Sequence, residues 1–377
     1  MAYFNIFTLS NIKSALLGAI LMAKKLLLPF VVLAAISFFV AYYWWGYKSP
    51  SIGIDDANIY FVYMKNLAEG HGFVWNVGGE RVEGFTSLLW TLIGAFFVRV
   101  SPAHYPILLL VLGAILTFLT IYQVLVFSRK VNKTEDRGIT SVDLIILALL
   151  LLPRGFIEWN ILCLMETSLW SFLLVTISLQ LCQYYLLGKQ VKIVPISLLI
   201  ILINLTRPES LLYNFLFIGI MLIMLQADIG WKNAFRKITV PVLAHLVSFS
   251  ALVAWRISYF GFPFPNTYYA KVSASKKDNI TGGLKYVFTF FNFYPQTIAI
   301  IVLLAFFGWF IFKKWKKRTE LSGDEKMLGV LIIIIFCGLS LPLATGGDHF
   351  MFSRFYQPLL PLMCLAVTFT GFWKNAL

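Results

Sequence analysis

The chain has 377 residues, of which 59% are hydrophobic and only 13% charged, with a mean hydropathy of +0.81. Soluble domains carry roughly twice that charge and lack repeated apolar runs of about 20 residues. The composition therefore excludes a soluble globular fold and predicts an all-α, polytopic membrane protein. A net charge of +14 raises nucleic acid as a partner, but the placement of the cations argues otherwise.

Residues 1–23 hold a short apolar run, Ala15 to Ala23, ahead of Lys24 and Lys25. It is too short to span and shows no small-residue cleavage pattern, so it reads as an interfacial amphipathic segment rather than a removable signal peptide. The first span is expected over 26–47, ending in the interfacial aromatics Tyr42, Tyr43, Trp44 and Trp45. The longest polar interruption follows, from Ile54 to Trp90. It contains the pair Asp55-Asp56, a helix-like segment to Glu69, a Gly70-His71-Gly72 turn, and the run Gly79-Glu80-Arg81-Val82-Glu83-Gly84. A carboxylate pair just past a membrane helix is costly unless it faces water or a partner, which makes it a functional-site candidate.

Ser87 to Val100 is apolar but short, and its disposition sets the topology. If it lies flat on the membrane, the spans fall at 26–47, 105–127, 141–157, 168–187, 192–206, 210–226, 238–260, 287–312, 327–345 and 355–373, ten in all. With the N-terminus inside, nineteen of the 31 Lys and Arg residues then flank cytoplasmic ends, including the Lys-rich segment 313–318. Were Ser87–Val100 to span, that segment would face outward, against the positive-inside rule. The basic excess is thus a topology signal and a contact with anionic inner-leaflet lipid, not a nucleic-acid footprint. Cys163, Cys182, Cys337 and Cys364 sit in or beside apolar runs without metal-ligand spacing. They read as small core residues rather than disulfides or ligands, and no cofactor is required, a divalent metal at Asp348 and His349 being the alternative.

On this topology the unusual polar residues collect on the outer face. They are Asp55, Asp56, His71, Arg81 and Glu83 in the first loop, Glu158 and Glu166 after span three, and Arg207-Pro208-Glu209 between spans five and six. Asn266, Tyr268, Tyr269 and Lys271 follow span seven, and Asp348, His349 and Arg354 follow span nine. Plain structural roles exist for many of them. Asp55 or Asp56 suits a helix N-cap, Arg207 and Glu209 suit a helix-end ion pair around Pro208, and Tyr268 and Tyr269 suit an interfacial belt. The chemical reading is that one aspartate, Asp55 ahead of Asp56, removes a proton from an acceptor hydroxyl. Arg207, Lys271 and Arg354 would hold a phosphate as it leaves. Phosphate is a good leaving group, so one base suffices and direct displacement inverts the anomeric centre. His71, Arg81, Glu83, Glu166, Glu209, Asn266, Tyr268, Tyr269, Asp348 and His349 are candidates for sugar or acceptor contacts. A secondary transporter or lipid flippase is the alternative, but such proteins bury charges near the midplane beside broken helices, whereas these spans have nearly charge-free centres. An inactive structural subunit is a third reading.

The stretch DDANIYFVYMKNLAEGHGFVWNVGGERVEGFTSLLW (Asp55–Trp90), METSL at Met165–Leu169, TRPE at Thr206–Glu209, PNTYYAK at Pro265–Lys271 and GGD…SRF at Gly346–Phe355 resemble the GT-C superfamily of membrane glycosyltransferases. They are most similar to the branch of mycobacterial terminal arabinofuranosyltransferases and their uncharacterised bacterial relatives. The resemblance runs in order from about residue 26 to 373. It implies juxtamembrane helices in the first outer loop, a base in the acidic motif there, and a polyprenyl-phosphate sugar as donor. It also implies a cell-envelope glycan, lipid or protein as acceptor, and a bacterial cytoplasmic membrane with the site facing outward. The chain is expected to form one transmembrane domain over 1–377, without the soluble C-terminal domain that many relatives carry.

Overall fold

The computed structural model describes residues 26–46, 53–188, 191–271 and 275–369. The expected interfacial segment at 1–23, the cations Lys13, Lys24, Lys25, Lys189 and Lys374, and the end of the last expected span lie outside these residues. Among the described residues the fold is all-helical, with no strand.

The helices run in the order α1 (Leu26–Gly46), α2 (Asp55–Ala68), α3 (Leu88–Val100), α4 (Tyr105–Val131), α5 (Ser141–Leu151) and α6 (Arg154–Ile157), which continues as a π-helical turn at Glu158–Leu162. Then come α7 (Thr167–Leu187), α8 (Ile193–Thr206), α9 (Ser210–Phe260), α10 (Asn266–Lys271), α11 (Lys276–Phe293), α12 (Gln296–Lys316) and α13 (Gly323–Thr345). A 3-10 turn at Arg354–Leu359 leads into α14 (Leu360–Val367).

Six of these, α1, α4, α7, α9, α12 and α13, are long and apolar enough to cross a membrane, against the ten spans expected. The differences have local causes. The expected span 141–157 is a bent pair, α5 and α6 with its π turn, joined at 76° beside Pro153, whose ring cannot continue a helix. The expected spans 192–206 and 355–373 correspond to α8, of 14 residues, and α14, of 8, both shorter than a bilayer crossing. The expected span 287–312 begins only at Gln296, because Tyr294 and Pro295 separate it from α11. The Ser87–Val100 segment is one 13-residue helix, α3, started by Ser87, whose hydroxyl accepts the Trp90 amide at 3.2 Å.

α9 is nominally 51 residues long, but Gly230 inside it has φ 73° and ψ 163°. On one straight helix Asn214 and His245 would stand roughly 46 Å apart. Their side chains instead meet at 3.3 Å. The chain therefore doubles back at Gly230, as the separate expected spans 210–226 and 238–260 require. Asn204 of α8 completes this junction, donating to Ser248 at 2.7 Å while accepting from Asn214 at 2.9 Å. Lipid tails are as apolar as leucine, so such buried hydrogen bonds and close packing hold helices together more than water exclusion does.

α7 lies at the centre, against α4, α8, α13 and the Arg354–Leu359 turn. Away from the cavity described below, capping boxes start α5 (Thr140 with Asp143) and α13 (Ser322 with Glu325). Arg129 doubles as a partner of Asp143 at 2.8 Å. At the other pole α2 packs along α3, and the fully buried Trp90 indole donates to the Leu164 carbonyl at 3.1 Å. That bond ties the first loop to the Met165–Leu169 segment.

Candidate functional site

Six separate stretches meet around one cavity of about 530 Å³. Its wall takes Asp56 and Tyr60 from α2, Gly84 and Thr86 from the first loop, Met165 and Thr167 at the start of α7, Arg207 to Glu209 before α9, Pro265, Thr267 and Tyr268 beside α10, and Gly347 and Arg354 after α13. The reversal at Gly230 makes this possible, because it returns the end of α9 to the side where α9 begins.

Two guanidinium groups organise the polar end. Arg207 donates from Nη1 to Glu166 Oε1 at 2.5 Å, from Nη2 to Glu209 Oε1 at 2.8 Å, and from Nε to Glu209 Oε2 at 3.1 Å. Arg354 faces Asp348 Oδ2 from Nε at 2.5 Å and donates from Nη1 to Asp56 Oδ2 at 3.3 Å. Both arginines are buried, as are the side chains of Glu166 and Asp348, whereas those of Asp56 and Glu209 keep 24% and 26% of their surface. A ligand in the cavity therefore meets Asp56 and Glu209 first. Burial opposes the ionisation of Glu209, but Arg207 outweighs it and holds its carboxyl below the usual carboxylate range. Burial likewise opposes the charge on Arg207 and Arg354, and the surrounding carboxylates reverse that, holding both guanidiniums above their usual range.

A hydroxyl chain extends the cluster. The Tyr60 hydroxyl accepts the amides of Thr86 (3.3 Å) and Ser87 (3.0 Å) and lies 2.9 Å from Thr86 Oγ1, which donates to Glu166 at 3.4 Å. Burial, with the Glu166 charge adding to it, pushes the Tyr60 hydroxyl well above the ordinary phenol range, so it keeps its proton. Backbone strain is concentrated here too. Leu164 (φ 57°), Phe352 (φ 63°) and Ser353 (φ 50°) adopt the left-handed region just ahead of Met165–Glu166 and Arg354. Such residues persist where the surroundings over-determine them, commonly at functional sites.

The remaining candidate residues are placed as follows. Asp55 is exposed and outside the cavity wall, so it is Asp56 that α2 turns inward. His71 is exposed, 3.8 Å from Glu69. The Arg81 guanidinium lies 4.5 Å from the centre of the Tyr259 ring. Glu83 is buried against Arg256 at 3.0 Å and does not line the cavity, and its backbone carbonyl accepts the Asn266 amide at 3.0 Å. Burial pushes the Glu83 carboxyl up to about 7 despite Arg256. Tyr268 lines the cavity, while Tyr269 packs on it and on Phe262. His349 is exposed next to the buried Asp348. Lys271 ends α10, and its side chain falls outside the description. Among the described residues no three His, Cys, Asp or Glu side chains gather in a metal-binding group.

No protein-family model matches the chain, and no curated protein matches it. The geometry alone therefore has to carry a functional reading.

Sequence reasoning passed over Tyr60, Thr86, Met165, Arg256 and Tyr259. A signal existed for Tyr60, which stands four residues after Asp56 and so shares its helix face. Arg256 carried a weaker one, being an arginine near the end of an apolar span, where a partner is needed.

Proposed function

We propose that the protein is an integral membrane glycosyltransferase, with Asp56 as general base and a polyprenyl-phosphate sugar as donor. The observation that carries this reading is the two-sided character of the cavity. Its polar end holds Asp56, Arg207, Glu209 and Arg354, and its other end is walled by Leu211, Leu212 and Phe215 of α9 and Leu341 and Pro342 of α13. Leu211, Leu212 and Phe215 are exposed there, on a helix apolar enough to sit in lipid. A charged pocket that continues as an apolar groove matches a phosphate head on a hydrocarbon tail.

Four acidic side chains and two guanidiniums meet at the polar end. A phosphate binds favourably only by taking over N–H groups that carboxylates now accept. Glu209 is the partner that gives way, because its carboxylate is part-exposed while that of Glu166 is sealed. Arg207 then offers a fork of N–H donors to two phosphate oxygens, the geometry at which arginine excels. Arg354 keeps Asp56 pointed into the cavity.

In the reaction the acceptor oxygen attacks the anomeric carbon as its proton passes to an Asp56 carboxylate oxygen. The new C–O bond forms as the bond from the anomeric carbon to the phosphate oxygen breaks, and that electron pair leaves with polyprenyl phosphate. Arg207 stabilises the charge that develops there. Attack opposite the leaving group inverts the anomeric centre. The membrane is read as the bacterial cytoplasmic membrane, with the cavity open to the outside.

The test is a cryo-EM map of the full chain in nanodiscs with added polyprenyl phosphate. The expected result is phosphate density at Arg207, with Glu209 rotated away and the prenyl chain between α9 and α13. Lipid density elsewhere, with the Arg207–Glu209 contact intact, would overturn the reading.

A further inference from the structure

A second cavity of about 490 Å³ opens beside the first, lined by Ile59, Tyr63, Trp75, Asn76, Glu80, Val82 and Gly84. Ile59 and Gly84 belong to both walls. We propose that this cavity, floored by Trp75 and flanked by Asn76 and Glu80, binds a neutral saccharide ring of the acceptor. The proposal rests on the glycosyltransferase reading for the word acceptor, but not for the binding itself.

Three observations support it. The first is the form of the floor. Trp75 is 43% exposed within a polar loop, yet it is held in place. Asn66 donates to the carbonyls of Val74 (2.7 Å) and Trp75 (3.1 Å), and the Tyr63 ring lies 6.1 Å from that of Trp75. An exposed indole on an anchored backbone offers the C–H face of a sugar ring a large apolar platform. The second is the chemistry of the rim. Asn76 and Glu80 are both exposed, and they supply an amide and a carboxylate, the donor and acceptor pair that hydroxyl groups satisfy.

The third is alignment with the base. Asp56, Ile59, Tyr60 and Tyr63 fall at i, i+3, i+4 and i+7 on α2 and form one stripe. Seven residues of helix separate Asp56 from Tyr63 by roughly 10 Å, so a short saccharide lying along the stripe would bring a hydroxyl toward Asp56. Gly84 lies in the wall shared by the two cavities. A Cβ there would lie 3.0 Å from the Tyr63 ring and 3.2 Å from Ile59, so a side chain at this shared wall would press on both residues.

The test uses saturation-transfer NMR on the full chain in nanodiscs, with a panel of neutral oligosaccharides of hexoses and pentoses as probes. At least one probe should take up saturation from the wild type and equally from Asp56→Asn. That signal should fall roughly tenfold in Trp75→Ala and be largely kept in Trp75→Phe. Trp75 is half-exposed, and an unchanged thermal midpoint for the variants is expected as the check on folding. No signal from any probe, or the same signal in Trp75→Ala, would overturn the site. Saccharide binding at Trp75 without any sugar transfer would remove the glycosyltransferase reading and leave the site standing. Transfer whose acceptor KM ignores Trp75→Ala would do the reverse.

Discussion

Replacing Arg207 by alanine should destabilise the protein severely, and the neutral double replacement should recover most of the loss. Arg207 makes three hydrogen bonds to two carboxylates, and Glu166 on one side is fully buried. Without the guanidinium, Glu166 keeps the long hydrogen bond from Thr86 at 3.4 Å. Breaking a buried pair by removing one partner costs about 3–5 kcal/mol, because the other charge stays buried without compensation. For a chain of this size that amounts to roughly 4–6 °C in the thermal midpoint. Arg207→Lys should recover little, since one ammonium cannot span both carboxylates as a planar fork does. Glu166→Gln with Arg207→Gln removes both charges and should return to within about 1–2 kcal/mol of the wild type. The assay is thermal unfolding with a thiol-reactive dye, which suits a protein whose Cys163, Cys182 and Cys364 are free and buried. An Arg207→Ala midpoint within 2 °C of the wild type, or a double variant no better than the single one, would refute the argument.

Glu83 predicts a pH dependence. Its folded pKa is raised from 4.5 to about 7, so between those values the folded protein keeps a proton that the unfolded chain has lost. Stability from this group therefore declines as pH rises from about 4.5 to about 7 and levels off above that. Glu83→Gln should remove that slope in a pH series of thermal midpoints. Gly347 has φ +69°, and a Cβ there would lie 2.5 Å from the Tyr286 ring. Gly347→Ala should cost about 1–3 kcal/mol and, by shifting Asp348, weaken transfer as well. Leu212 borders the proposed prenyl groove, so Leu212→Trp should raise the donor KM several-fold and leave the acceptor KM unchanged.

Much of the architecture was legible because apolar runs are a strong signal. The all-helical class, the helices α2 and α3 of the first long polar loop and the break between 226 and 238 all follow from where polar residues and glycine interrupt those runs. The count of crossings did not follow. Hydropathy alone cannot separate a 14-residue helix such as α8 from a crossing, nor show that Pro295 divides 276–316 into α11 and α12. In the site, the grouping of Asp56, Glu166, Arg207, Glu209, Asp348 and Arg354 was foreshadowed by their shared side of the assumed topology. The order within Asp55-Asp56 was not, because adjacent residues on a helix diverge by 100° and the register depends on how α2 packs. Glu83 looked like a ligand contact and is instead the buried partner of Arg256, a pairing across 173 positions that no local pattern reveals.

The most direct measurement is release of polyprenyl phosphate in proteoliposomes. They would be supplied with a panel of radiolabelled polyprenyl-phosphate pentoses and hexoses and a cell-envelope extract as acceptor. The account predicts release with transfer of inverted sugar by the wild type. It predicts a loss of at least about 100-fold in Asp56→Asn and near-normal rates in Asp55→Asn. Equal release by the wild type and Asp56→Asn, or a loss that follows Asp55 instead, would contradict it.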